Sequence, residues 1–350
     1  MYFFVLSLFI VSFAALAAEP YKDPRLGAQA VVKKEFLAEN FPTPSVHAST
    51  IVEVSPGKHV AAWFGGTNEG DSDVGIWLSR FDGKWSNPIE VANGAMGETR
   101  YPSWNPVLFQ THRKRLLLFY KVGPSPSTWR GVRRESFDQG LTFGNPVNLP
   151  KDIIGPVKNK PLELNSRLII SGSSSEDNAS LPKWQVHFER STDGGNSFNR
   201  IQVLNQNGSI DAIQPSILEH KNGSLQPIGR TKSKRIFSTF SKDQGATWAP
   251  LTLLDLPNPN SGTDAITLKD GRQLLIYNHS ESERTPLSVA VSSDGLLWKQ
   301  VVTLESEPGE FSYPAIILGA DSMVHITYIF NRKKIVHVVI DPRKISMLNG

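Results

Sequence analysis

Ser136-Phe137-Asp138-Gln139-Gly140-Leu141-Thr142-Phe143 is one copy of a motif that this chain repeats. It returns as Ser191-Thr192-Asp193-Gly194-Gly195-Asn196-Ser197-Phe198 and as Ser241-Lys242-Asp243-Gln244-Gly245-Ala246-Thr247-Trp248. A copy shorter by one residue is Ser292-Ser293-Asp294-Gly295-Leu296-Leu297-Trp298, and a degenerate copy is Ser79-Arg80-Phe81-Asp82-Gly83-Lys84-Trp85. The starts lie 50 to 57 residues apart. The shared pattern S-x-D-x-G-x-[ST]-[WF] is a turn. Asp accepts backbone N–H bonds, Gly supplies a left-handed conformation, and the aromatic packs beneath the hairpin. A repeat at this period marks an array of like units.

A second repeat runs out of phase with the first. Each unit opens on a polar stretch with Pro or Ser and passes into an apolar strand. The openings are His47-Ala48-Ser49-Thr50-Ile51-Val52, Pro102-Ser103-Trp104-Asn105-Pro106-Val107-Leu108 and Lys158-Asn159-Lys160-Pro161-Leu162. They continue with Ile213-Gln214-Pro215-Ser216-Ile217-Leu218, Gly262-Thr263-Asp264-Ala265-Ile266-Thr267-Leu268 and Ser312-Tyr313-Pro314-Ala315-Ile316-Ile317. Each unit has room for four short strands. The expectation is an all-β, six-bladed β-propeller with aspartate-box turns, its opening strands innermost and their polar starts facing the central cavity. The propeller is expected over residues 41–350. Residues 19–40 precede it, and Ala30–Leu37 could close the last blade.

Composition agrees with that architecture. Hydrophobic residues make up 39% and charged residues 20% of 350, and the chain holds 27 Gly and 24 Pro. A net charge of +4 is too mild for a nucleic-acid binder and does not repel an acidic ligand. With no Cys, disulfides, thiolate nucleophiles and zinc–cysteine clusters are excluded. The eight His show no metal-ligand spacing, and no phosphate-loop or dinucleotide fingerprint occurs, so neither metal nor cofactor is expected. Residues 1–18 carry a run of uncharged, mostly apolar residues ending in Ala15-Leu16-Ala17. They read as a secretory signal peptide, which predicts an exported protein, periplasmic or secreted. No later segment has the ~20 apolar residues needed to span a bilayer.

Aspartate boxes on six units resemble the sialidase (neuraminidase) superfamily, and more narrowly its bacterial and plant sialidase-like BNR-repeat family. Trp63-Phe64-Gly65-Gly66-Thr67, Gly155-Pro156-Val157-Lys158-Asn159-Lys160-Pro161, Pro257-Asn258-Pro259-Asn260-Ser261-Gly262 and Phe311-Ser312-Tyr313-Pro314 carry that resemblance. It implies an acidic-glycan substrate and an exo-glycosidase that releases a terminal keto-acid sugar. In such enzymes three Arg hold the substrate carboxylate, a Tyr activated by a Glu is the nucleophile, and an Asp is the acid/base. A neutral phenol suits a substrate whose own carboxylate would repel an anionic nucleophile. Tyr313 matches the nucleophile, and Asp71 matches the acid/base, with Asp73 its nearby competitor. Arg230 and Arg284 match two of the arginines, and Arg332 is the candidate for another.

Two positions depart from the family pattern. His47 stands where the first Arg is expected. Gln214 stands where the activating Glu is expected, and Gln cannot accept a proton; Glu310, three residues before Tyr313, is the candidate substitute. Asn105, Lys158, Lys160, Asn260 and Asp264 begin inner strands and are candidates for contacts with the sugar. The departures favour a substrate other than ordinary sialic acid, such as 3-deoxy-manno-octulosonic acid (Kdo) of a surface glycan. Two alternatives stay open. One is a polysaccharide lyase on uronic-acid glycans, using His47, Tyr313 and Arg284. The other is a non-catalytic propeller that binds an acidic glycan or joins a protein partner.

Overall fold

A computed structural model describes residues 26–177, 179–205 and 210–345. The segment read as a signal peptide lies outside the described residues. Each unit folds as an antiparallel sheet, because its short apolar runs are separated by turn residues at hairpin spacing. Six such sheets form a six-bladed propeller. The innermost strands are Ser45–Ser55, Ser103–Gln110, Leu162–Glu163, Ala212–Glu219, Asp264–Thr267 and Phe311–Leu318, in blades 1 to 6. The second strands are Lys58–Gly66, Leu116–Val122, Ile169–Glu176, Leu225–Thr231, Gln273–Asn278 and Val324–Phe330.

The sixth blade takes its strands from both ends of the chain. Val31–Phe36 pairs antiparallel with Lys334–Ile340, setting Val31 beside Ile340 and Phe36 beside Val336. A ring closed in this way leaves no free sheet edge between its first and last blades. At the seam between blades 1 and 6 three buried histidines meet. His325 Nδ1 lies 3.1 Å from His337 Nε2, and the His59 ring stands 4.2 Å from that of His325. Carboxylates surround them: Glu35 is 3.1 Å from His337, Asp321 is 3.4 Å from His325 and Glu53 is 3.9 Å from His59.

The core lies between blades, where sheet faces pack on one another. Trp63, Phe64, Phe119, Tyr120, Phe188, Phe237, Tyr277 and Tyr328 are fully buried there. The aspartate boxes fold as the motif requires. In the second blade Ser136 donates to Asp138 at 2.7 Å, Asp138 accepts from the Thr142 amide at 2.9 Å and hydroxyl at 2.6 Å, and Gly140 has φ +81°. The degenerate copy differs: Asp82 faces Lys58 at 2.7 Å, and Ser79 bonds the Ser86 carbonyl instead.

The boxes also latch neighbouring blades. Trp248 stacks 4.0 Å from Phe188 of blade 3, and Phe198 meets Phe119 of blade 2 at 6.1 Å. Box carbonyls accept from the preceding blade: Gly140 from Arg80 at 3.0 Å, Gly195 from Arg133 at 2.6 Å and Gly295 from Gln226 at 2.7 Å. Among the described residues no helix is long and apolar enough to cross a membrane.

Candidate active site

Regular strands alternate their side chains between faces, but these inner strands do not stay regular at their openings. Ala48, Asn105, Gln214 and Tyr313 have φ of +53°, +39°, +58° and +48°. Pairing registers slip beside them, between His47 and Thr50, Ile213 and Ser216, and Ser312 and Ala315. In blade 2 Trp104 pairs with Lys121 and Val107 with Phe119, so the extra residue again lies on the inner strand, at Asn105. Each of these four openings is a β-bulge, which re-aims side chains that alternation would otherwise send apart. Non-glycine residues held in this region cost about 1–3 kcal/mol each and cluster at functional sites.

Tyr313 is the meeting point of four blades. It is 8% exposed, and its hydroxyl accepts from Arg230 Nη1 at 3.2 Å. The Arg230 guanidinium lies 5.5 Å from the Tyr313 ring and 4.9 Å from the Trp184 ring. Arg284 approaches the same phenol ring at 5.7 Å. On the far side the His47 ring stands 4.2 Å from that of Tyr313, tilted by 50°. Ser49 donates to the Tyr313 carbonyl at 3.3 Å. His47 is 2% exposed, and its Nδ1 has no partner within the protein. Burial, and then the charges of Arg332, Arg284, Arg230 and Lys158, push its pKa well below 6.5. His47 is therefore a neutral imidazole against a phenol.

Glu310 stands just before the strand that carries Tyr313, but its carboxylate turns to arginines. Oε1 meets Arg284 at 2.6 Å and Ser312 Oγ at 3.0 Å, and Oε2 meets Arg332 Nε at 2.9 Å. Burial raises its pKa, yet the Arg332 bond and the charges of both arginines outweigh that and hold it below the ordinary value. Its hydrogen bonds run to Ser312 and the arginines, none to Tyr313. Arg332 also reaches Glu69 at 2.5 Å, which ties the loop of blade 1 across to blade 6. Asp71 is exposed on that loop, its Oδ2 accepting from Asn68 at 3.0 Å. Asp73 is committed to the turn, accepting from the Thr67 amide at 2.9 Å and hydroxyl at 2.8 Å.

Further polar residues of the strand openings are buried close to this group. Gln214 is buried, and its Oε1 has no partner within the protein. Lys158 is buried beside it, reaching the Thr263 carbonyl at 2.8 Å. Asn105 is buried at its own bulge. The remaining candidates do not join this group. Asn260 lies on an exposed turn. Asp264 is fully engaged, with Lys160 at 2.9 Å, Ser216 at 2.8 Å and the Ile316 amide at 3.0 Å. That pairing binds blades 3 to 6 and borders a cavity of about 230 Å³ lined by Ile217, Glu219, Thr267 and Leu318, at the strand ends away from Tyr313. Among the described residues no cluster of His, Asp or Glu is arranged to hold a metal ion.

Two contributors were not among the sequence candidates. Glu69 could have been found from the acidic run Glu69-Gly70-Asp71-Ser72-Asp73. Trp184 carries no motif, and only its place at the start of a third strand puts it under Arg230.

The sequence matches the family described as BNR repeat-like domain over residues 57–326. No curated protein matches the chain. Solved structures with the same fold include a protein of unknown function from Dyadobacter fermentans, 17% identical, with a TM-score of 0.73 over 88% of this chain and 98% of that one. The intramolecular trans-sialidase of Ruminococcus gnavus, solved with oseltamivir carboxylate, is 13% identical, with a TM-score of 0.73 over 92% and 100%. The NanB sialidase of Streptococcus pneumoniae is 12% identical, with a TM-score of 0.69 over 96% and 73%. At these identities the likeness shows the fold alone, a β-propeller of the sialidase type.

Proposed function

The chain belongs to the BNR repeat-like domain family, and from that premise we propose that it is an exported exo-glycosidase releasing a terminal keto-acid sugar, sialic acid-like or Kdo, from a surface glycan. The observation that carries the reading is Tyr313, held at φ +48° with Arg230 on its hydroxyl and the neutral His47 ring 4.2 Å away. In this proposal the sugar carboxylate binds Arg230 and Arg284. Asp71 protonates the leaving-group oxygen as Tyr313 Oη attacks the anomeric carbon. His47 takes the phenol proton, in place of the carboxylate that Gln214 lacks. Water then attacks the sugar–tyrosine bond with Asp71 as base, and His47 returns the proton to the departing phenol. Glu310 orients Arg284 and Arg332 and takes no proton.

The His47–Tyr313 contact also supports a second reading, a lyase on a uronic-acid glycan. There His47 would remove the proton beside the carboxylate, Tyr313 would protonate the leaving oxygen, and Arg230 would stabilise the charge that develops. One experiment separates the readings. Mature protein is incubated with sialosides, Kdo-capped lipopolysaccharide core and uronate polymers, and products are read by mass spectrometry. The hydrolase reading expects a free keto-acid sugar, lost at least a thousandfold, on the order of what removing a nucleophile costs, in Tyr313→Phe. It expects about a hundredfold loss or more in Asp71→Asn. An unsaturated uronate product would transfer the assignment to the lyase. Binding without product would leave a glycan-binding propeller.

A further inference from the structure

Lys158 lies on the segment that leads into the innermost strand of blade 3 and is 4% exposed. Its Nζ faces three acceptors: Asn159 Oδ1 at 2.9 Å, the Thr263 carbonyl at 2.8 Å and the Pro314 carbonyl. These come from blades 3, 5 and 6. None of the three oxygens carries a hydrogen, so the nitrogen must supply three N–H groups. Only the ammonium form has three; a neutral amine would point its lone pair at a carbonyl oxygen. Gly262 leaves room for the stem, since a Cβ there would come within 3.0 Å of Lys158 Cε. The next residue does a parallel job: Asn159 Nδ2 donates to the Gln214 carbonyl at 2.8 Å. Two consecutive residues thus hold peptide oxygens at two of the left-handed openings: that of Gln214 itself, at φ +58°, and that of Pro314, the residue after Tyr313 at φ +48°.

The charges around Lys158 come from every neighbouring blade. Asp264 of blade 5 favours the ammonium, while Lys160 of blade 3 and Arg230 of blade 4 oppose it. His47 of blade 1 is near enough for the lysine to depress its pKa, and Tyr313 of blade 6 precedes the bound carbonyl. Burial is the largest influence, and it brings the lysine down to about 7.

We propose that Lys158 is a positioning residue for Tyr313: as a buried ammonium it holds the Pro314 carbonyl, one peptide beyond the tyrosine, and so sets the phenol against Arg230 and His47. The inference rests on the reading of Tyr313 as the centre of the site. Its test does not need turnover. Full-length mature protein carries 13C at tyrosine Cζ and lysine Cε. The Tyr313 signal is identified by its loss in Tyr313→Phe, and the Lys158 signal by its loss in Lys158→Met. In the wild type the Tyr313 signal should shift with the same midpoint as Lys158, near pH 7. In Lys158→Met the signal should be displaced and that step gone. A Tyr313 signal that ignores the Lys158 midpoint, or keeps its wild-type position in folded Lys158→Met, overturns the proposal. If that variant does not fold, the wild-type titration alone decides.

With a substrate in hand, Lys158→Met should lower kcat about a hundredfold, as a displacement of about 1 Å does, and leave KM within about twofold. A protein that processes none of the glycans, yet whose tyrosine follows the lysine, sinks the hydrolase reading and keeps this one.

Discussion

Arg230 is sandwiched between two aromatic rings, and that placement makes a demand on its shape as well as its charge. The guanidinium lies 4.9 Å from the Trp184 ring while its Nη1 still meets the Tyr313 hydroxyl at 3.2 Å. Its Nε is buried without a partner in the protein, a donor free for a planar anion. An ammonium keeps the charge and loses the fork. Arg230→Lys is therefore expected to weaken binding of an acidic sugar roughly 10- to 100-fold by calorimetry, with the fold intact. Equal affinity in the variant would show that charge alone is used there. At this scale the sequence was only partly legible. Tyr313, Arg230 and His47 could be named through the family resemblance, which sets them at strand openings and ends. What no pattern displays is the left-handed backbone, because Ala48, Gln214 and Tyr313 are residue types that rarely adopt it. The bulge decides which side chains face each other, so Glu310 could be found next to Tyr313 in sequence and still bond arginines in space.

The aspartate box is legible as a turn because every bond that defines it is local. Ser191, Asp193 and Ser197 bond one another within seven residues, the copies at Ser136 and Ser241 repeat the arrangement, and the shorter copy keeps its Ser292–Asp294 bond. Its second job, gripping the blade before it, is invisible in the motif, since the gripping residues Arg80, Arg133 and Gln226 are neither all of one type nor evenly spaced. Both jobs can be measured. In Asp193 burial opposes ionisation, but bonds from Ser197, Ser191 and Asn196 win and bring its pKa down to about 2, as they do for Asp243. A carboxylate with a folded pKa below its unfolded value near 3.8 adds stability above 3.8, and loses it as pH falls through about 2. Asp193→Ala should remove about 1 kcal/mol, read as a Tm roughly 2 °C lower at pH 7, with most of the deficit gone near pH 2. A deficit that persists unchanged in acid would mean that the carboxylate charge is not what the turn uses.

The buried histidines at the ring closure make the stability of the whole molecule depend on pH. Burial lowers His59 and His337 to about 4, with the His325 charge adding to the effect in both and nearby carboxylates opposing it. These folded values lie below the unfolded value of 6.5, so the unfolded chain takes up protons first as pH falls. The histidines' contribution to stability is whole above 6.5 and is lost between 6.5 and about 4, at up to roughly 1.4 kcal/mol per pH unit for each histidine. Urea midpoints between pH 7 and 4 should fall along that course, and His59→Phe should flatten it; an unchanged slope in the variant would place the acid sensitivity elsewhere. The seam also fixes how the ring presents itself to a surface. Phe311, Phe330, Lys334 and Phe36 align at the end of blade 6 that bears the cavity mouth, whereas Val31 and Ile340 align at the opposite end. A bead, a label or a fused domain joined beyond either of those residues hangs from the underside. The mouth then points away from whatever holds the protein, free to meet a glycan that is itself fixed to something large.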